Sequence, residues 1–205
     1  MPEFAQLGYF IITSSILIIA PGPDIIFLIS QSIHKGSHAG LLTAIGLTSG
    51  NLIHTLIAAA GISALILNSP IALSTIKFVG VGYLLFLAYE TICNNTKFSG
   101  NNPIDSHDSS LFLRGLLMNL LNPKVSLFFL AFLPQFVTIE EKGTGYQIII
   151  LGLIFTLLVL IIFGSIGLFA GRIQEHVLNQ FTSSRYLNYI IASIFICLAI
   201  NLFLF

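Results

Sequence analysis

Charge is scarce in this sequence. Charged residues make up 8% of its 205 positions, whereas 56% are hydrophobic. A soluble domain carries roughly a quarter charged residues, so a water-exposed surface of this size could not be covered. Lipid as the outer solvent removes that requirement. The formal net charge is zero, which gives no electrostatic reason to expect nucleic acid or another highly charged partner. Cysteine is nearly absent. Cys93 and Cys197 form no CxxC and lie in different apolar segments, so a disulfide framework or a thiolate metal site is not expected. Both read as inert thiols, and no metal or cofactor is expected. Catalytic constellations are missing as well. There is no HExxH, and Ser63 of Gly61-Ile62-Ser63 has no base in reach. The only histidine within an apolar segment, His54, lies nine residues earlier, roughly two and a half helical turns away. An enzyme is not expected. Finally, Met1-Pro2-Glu3-Phe4 lacks a basic leader, and the apolar stretch behind it is longer than a signal-peptide core. It reads as a first membrane span.

What the chain does contain is six apolar segments, at about 5–31, 40–67, 71–92, 111–136, 146–171 and 186–205. Each meets the roughly 20 residues that a spanning helix requires. Polar stretches separate them at 32–38, 68–70, 94–110, 140–145 and 172–185. Lysine and arginine are retained on the cytoplasmic side. Lys35, Lys97, Arg114, Arg172 and Arg185 fall in alternate loops, with only Lys77 and Lys142 opposite. That asymmetry puts the 94–110 loop in the cytoplasm and both termini outside. The tyrosines lie near segment ends, as an interfacial belt requires. The expected fold is an all-α membrane protein, a single transmembrane domain over 1–205. Its six helices form two inverted three-helix repeats, 1–93 and 111–205, around the 94–110 loop. An odd number of spans per half forces the inversion.

Internal symmetry supports the division. Segment one contains Ala20-Pro21-Gly22-Pro23-Asp24, and segment four contains Leu121-Asn122-Pro123-Lys124. Pro23 and Pro123 are 100 residues apart, and each is followed by one ionisable residue and an apolar run. Proline removes a helical hydrogen bond and clashes with the carbonyl four residues back, so Pro21, Gly22 and Pro23 are expected to break helix 1 and Pro123 to break helix 4. A packing kink is the plain alternative. Backbone freed in this way is tolerated in a membrane only where it faces protein or a cavity. Asp24 and Lys124 are the charges that lie well inside the segments, and each costs about 2.5–3.5 kcal/mol at the membrane centre. A structural ion pair is one reading. A receptor for a zwitterion is the other, with Asp24 holding an ammonium and Lys124 a carboxylate at a half-helix N-terminus. Asp24 could also exchange a proton. Asn51, His54 and Thr55 share one face of segment two, and Asn119 and Asn122 form a polar face on segment four. Asn51, Asn119, Asn122 and His54 are therefore further candidates for substrate binding or coupling. A hydrogen-bonded packing role is the simpler one for His54. Gly46 and Gly50 have the four-residue spacing that permits close helix approach. Gly80, Gly82, Gly164 and Gly167 are read the same way.

The run Pro21-Gly22-Pro23-Asp24, the stretch Gly46-Leu47-Thr48-Ser49-Gly50-Asn51 and the run Leu121-Asn122-Pro123-Lys124 resemble the lysine-exporter (LysE) and homoserine/threonine-resistance (RhtB) family of bacterial amino-acid efflux proteins. The resemblance covers essentially the whole chain. It implies an exporter of amino acids across the bacterial inner membrane, driven by proton motive force. The partners implied are an amino-acid substrate, protons and the lipid bilayer; a homodimer is compatible with the sequence. The scarcity of further acidic residues in the segments favours a neutral substrate such as homoserine, threonine or leucine over lysine. A passive channel, or an exporter of another small solute, is the competing reading, because paired half-helices also line pores.

Overall fold

The structure, a computed structural model, describes residues 4–20, 22–68, 70–93, 108–137 and 143–172, with scattered helical residues at 189, 192–193, 196–197, 199–200 and 203. All regular structure among them is helical. Helix α1 spans Phe4–Ile19, α2 Pro23–Asn68, α3 Pro70–Cys93, α4 Asp108–Leu120, α5 Pro123–Leu127 and α6 Thr144–Ala170. Between α5 and α6 the chain winds first as a π-helix, Phe128–Phe132, and then as a 3₁₀ turn, Leu133–Phe136.

Among the described residues, Thr144–Ala170 is long and apolar enough to cross a membrane, and so is Pro23–Gly61 by length and composition, although that stretch contains a turn at Gly36. Ser110–Leu120 and Pro123–Phe136, bent by 49° at their junction, make a third span if counted together. The expected segment at 186–205 lies mostly outside the described residues. Pro21 and the stretch 94–107 lie outside them entirely.

Helix α2 is not one straight rod. Gly36 has φ 85° and ψ 175°, in a region that side chains rarely adopt and glycine enters freely. Eight residues of straight helix would separate Ser32 and Gly40 by about 12 Å along the axis, yet a Cβ placed on Gly40 would collide with the Ser32 hydroxyl. The chain therefore reverses at Gly36 into two arms, 23–35 and 37–68. The polar stretch expected at 32–38 contracts to this one residue, because a single left-handed glycine is enough to turn the chain.

The second arm of α2 is the centre of the bundle and packs on both α4 and α6. Backbone contact sets the spacing. A Cβ on Gly46 would strike the Phe112 carbonyl, and one on Gly50 the Asn119 side chain. Gly115 of α4 lies against Thr43, where a Cβ would come within 2.7 Å of the carbonyl oxygen. On the other side Gly40 faces Gly167, Thr55 fills the space over Gly152, and Ser37 donates from Oγ to the Leu168 carbonyl at 2.9 Å. Of the other glycines expected to mediate packing, Gly82 and Gly164 have no described residue within 4 Å of a Cβ.

An aromatic cluster closes the core. Phe10 of α1 packs edge-on against Phe136 at 5.1 Å, and Phe128 stacks on Phe155 of α6 at 4.1 Å. Outward, large apolar side chains such as Leu56, Ile57, Leu121, Leu157 and Phe169 are exposed, as a lipid-facing surface requires. Many hydroxyls satisfy themselves within their own helices. Thr13, Ser15, Ser32, Thr43, Thr48, Ser49, Thr55, Thr156 and Ser165 each donate to the carbonyl four residues back. That pairing removes the cost of a bare polar group in an apolar surround.

Candidate functional site

Two interruptions in the helices meet in the interior. The first lies between α1 and α2. Helix α1 ends at Ile19, and α2 begins at Pro23, with Asp24 in its first turn. Proline suits a first helical position because its missing N–H would be unpaired there anyway. The second lies between α4 and α5, and it repeats that arrangement with Pro123 and Lys124. Here Asn122 is the cap. Its side-chain Oδ1 accepts from the Lys124 backbone N–H at 2.9 Å, and its carbonyl accepts from Val125 and Ser126. A cap of this kind contributes about 1 kcal/mol.

The two breaks interlock. Lys124 donates from Nζ to the Ala20 carbonyl at 2.8 Å, just past the last turn of α1. That carbonyl is left free by the break and sits at the negative end of the α1 dipole. In the opposite sense, Asn119 of α4 donates from Nδ2 to Asp24 Oδ2 at 3.2 Å. Gly22 lies beside the lysine, and a Cβ there would make ordinary contact at 3.6 Å with both Cδ and Nζ of Lys124. Pro21, the other residue expected at this break, lies outside the described residues.

Asp24, Asn51, Asn119, Asn122 and Lys124 line one small cavity, with Gly22 at its edge. Its volume is about 30 Å³. A water needs roughly 10–15 Å³ on this measure, so the cavity holds one or two waters. The remaining wall is apolar, built from Leu17, Ile18, Ile25, Phe128, Phe155 and Phe163. Asp24 is only 5% exposed, and Asn51 and Asn119 are 1% exposed. Asp24 Oδ1, Asn119 Oδ1 and both polar atoms of Asn51 make no hydrogen bond to any described residue. Ser14 Oγ and Gln31 Oε1 are also unmatched, but neither lines this cavity. The unmet polar capacity is thus concentrated between the two breaks.

His54 sits about one turn beyond Asn51 and is not among the residues lining the cavity. Its Nε2 lies 3.4 Å from the Asn119 carbonyl, and its ring stacks on Phe129 at 5.5 Å. The imidazole thereby braces the end of α4 beside the break. Gly46 and Gly50 act one layer further out, holding α2 against α4. No group of three or more His, Cys, Asp or Glu side chains capable of holding a metal occurs among the described residues.

Sequence reasoning missed the apolar wall and the partner of Lys124. Phe128, Phe155 and Phe163 stand in long apolar runs, where nothing distinguishes a cavity-lining phenylalanine from a packing one. The Ala20 carbonyl is backbone and has no residue-type signature. The π-helix at Phe128–Phe132 follows close after the second break and has no signature in residue type. Such insertions often accompany functional sites.

A broken-helix site with one carboxylate and one ammonium, inside an apolar helical bundle, suits a transporter of small polar solutes. Comparison with known proteins agrees. Leucine efflux proteins of Salmonella choleraesuis (strain SC-B67) and Salmonella typhimurium (strain LT2) are each 28% identical to this chain over 155 residues, covering 73% of it and 72% of the relative. The leucine efflux protein of Enterobacter sp. (strain 638) is 29% identical over 157 residues, with the same coverage. No solved structure matches the chain. The model of the LysE type translocator family matches residues 15–204, and the chain, a membrane transporter and not an enzyme, belongs to that family.

Proposed function

We propose that this protein exports a neutral amino acid of leucine type across the bacterial inner membrane, coupled to the proton motive force. The observation that carries the reading is the interlock of the two helix breaks, which brings Asp24 and Lys124 to one buried cavity. A zwitterion needs one anionic and one cationic partner close together. Asp24 takes the ammonium, and Lys124 takes the carboxylate by exchanging its bond to the Ala20 carbonyl. The apolar wall of Leu17, Ile18, Phe128 and Phe155 takes an aliphatic side chain. The names of the leucine efflux relatives favour the same class.

In this reading six spans form two inverted repeats, 1–93 and 111–205, joined by a cytoplasmic loop at 94–110, with both termini outside. The break in each repeat contributes half of the site, near the membrane midplane. A cavity of about 30 Å³ is too small for leucine, so the site must widen to admit it. Binding then requires α1 and α5 to part from α6. Proton entry to Asp24 from outside and its release inside would drive the alternation.

The test is efflux of labelled leucine, threonine, homoserine and lysine from proteoliposomes containing the full chain, with and without an imposed proton gradient. Leucine efflux that rises with the gradient is the expected result. Efflux indifferent to the gradient would convert the reading to a passive channel. Efflux of none of the four, with insertion verified, would replace the substrate class with another solute.

A further inference from the structure

Three carboxamides line the cavity, and two of them are already engaged. Asn122 caps α5 through Oδ1. Asn119 commits Nδ2 to Asp24 and lays Oδ1 against Gly50. Asn51 has neither its oxygen nor its nitrogen paired, although it is 1% exposed. Its neighbours leave it no local escape. Thr48 and Thr55 satisfy their hydroxyls within the helix, the latter on the Asn51 carbonyl itself. The backbone around it is clamped on both sides, by Gly50 against Asn119 and by Thr55 against Gly152. A buried amide with both ends unmet costs stability, and here it is held rigidly in the cavity wall alongside Asp24 and Lys124.

We infer that Asn51 reads both ends of the substrate zwitterion, its Oδ1 accepting from the α-ammonium and its Nδ2 donating to the α-carboxylate. The inference rests on the exporter reading above and deepens it. Asp24 and Lys124 supply charge, and Asn51 supplies a neutral acceptor and donor on one amide carbon, matched to an ammonium and a carboxylate borne on one carbon. The site therefore selects solutes carrying both groups on one carbon over amines or carboxylates of the same shape.

The test measures dissociation constants from ligand-induced thermal stabilisation of the purified full chain. The ligands are leucine, 3-methylbutylamine, which lacks the carboxylate, and 4-methylpentanoate, which lacks the ammonium. In Asn51→Leu, a near-isostere without hydrogen-bonding groups, leucine is expected to weaken about 100-fold and each single-ended analogue about tenfold, as expected for loss of two bonds or one to charged groups. Asn51→Asp keeps an acceptor and loses the donors, so it should retain the amine within about threefold and lose the carboxylate most. This second variant carries the test if the first does not fold. Unchanged leucine affinity, or an equal loss for all three ligands, would overturn the inference and reduce Asn51 to a structural residue. Leucine affinity that depends on sodium, with that dependence abolished in the variants, would overturn it in favour of an alkali-cation site. If the wild type neither binds nor exports leucine, the failure belongs to the exporter reading.

Discussion

The two helix breaks share a plan but solve opposite electrostatic problems. At the first, Asp24 stands in the opening turn of α2, where the positive end of the helix dipole favours its charge. At the second, Lys124 stands in the corresponding turn of α5, where the same dipole opposes it. Asp24 can stay at its own helix end and takes the Asn119 amide from across the cavity. Lys124 reaches away from its helix to the Ala20 carbonyl, at the negative end of α1. The mismatch at one break is thus relieved by the free carbonyl of the other. Two breaks that would each be costly alone form a joint that also leaves a cavity.

The comparison can be broken most severely at Asp24. Asp24→Asn removes the charge that the first break is built to hold, and gradient-driven leucine export should fall to background while the protein still inserts. Export at the wild-type rate would make Asp24 structural. Lys124→Met keeps the length of the side chain and deletes its charge. The apparent KM for leucine should rise about 10–100-fold, the worth of one hydrogen bond to a charged group. An unchanged KM would remove Lys124 from the site. Gly50→Ala forces a methyl into the Asn119 side chain, and overpacking of this kind costs about 1–3 kcal/mol. Its thermal midpoint should fall, whereas Gly82→Ala, with no described neighbour in range, should leave it unmoved. Asn122→Ala has the smallest expected effect. It should cost about 1 kcal/mol of stability through the lost cap, and Asn122→Asp should restore most of it. Equal stability of the alanine variant would show that Pro123 alone sets the break.

The breaks themselves were legible in the sequence, because proline and glycine act through local backbone chemistry. The placement of Asp24 and Lys124 at matching positions was legible as well, as a spacing of 100 residues. What faces them was not. Lys124 bonds to a backbone carbonyl, which every residue possesses. The cavity wall takes Phe128, Phe155 and Phe163 from apolar runs in which lipid-facing and core-facing positions are equally hydrophobic. The same ambiguity hid the role of individual glycines. A Cβ on Gly50 or Gly167 would strike a neighbouring helix, whereas one on Gly82 or Gly164 would meet no described residue, and only tertiary placement separates them. The polar stretch at 32–38 pointed to a connection but not to its form, since the reversal depends on one backbone conformation at Gly36.

The central claim is that the amino acid sits between the two breaks, and a thiol placed there tests it most directly. Gly22→Cys, made with Cys93 and Cys197 replaced by serine, puts a reactive group beside Lys124, where a Cβ is accommodated at 3.6 Å. The rate of modification by a small thiol reagent is then measured in proteoliposomes with and without leucine. The account predicts that saturating leucine slows modification in a variant that still exports. Modification unaffected by leucine, with export intact, would contradict it and place the substrate elsewhere in the bundle.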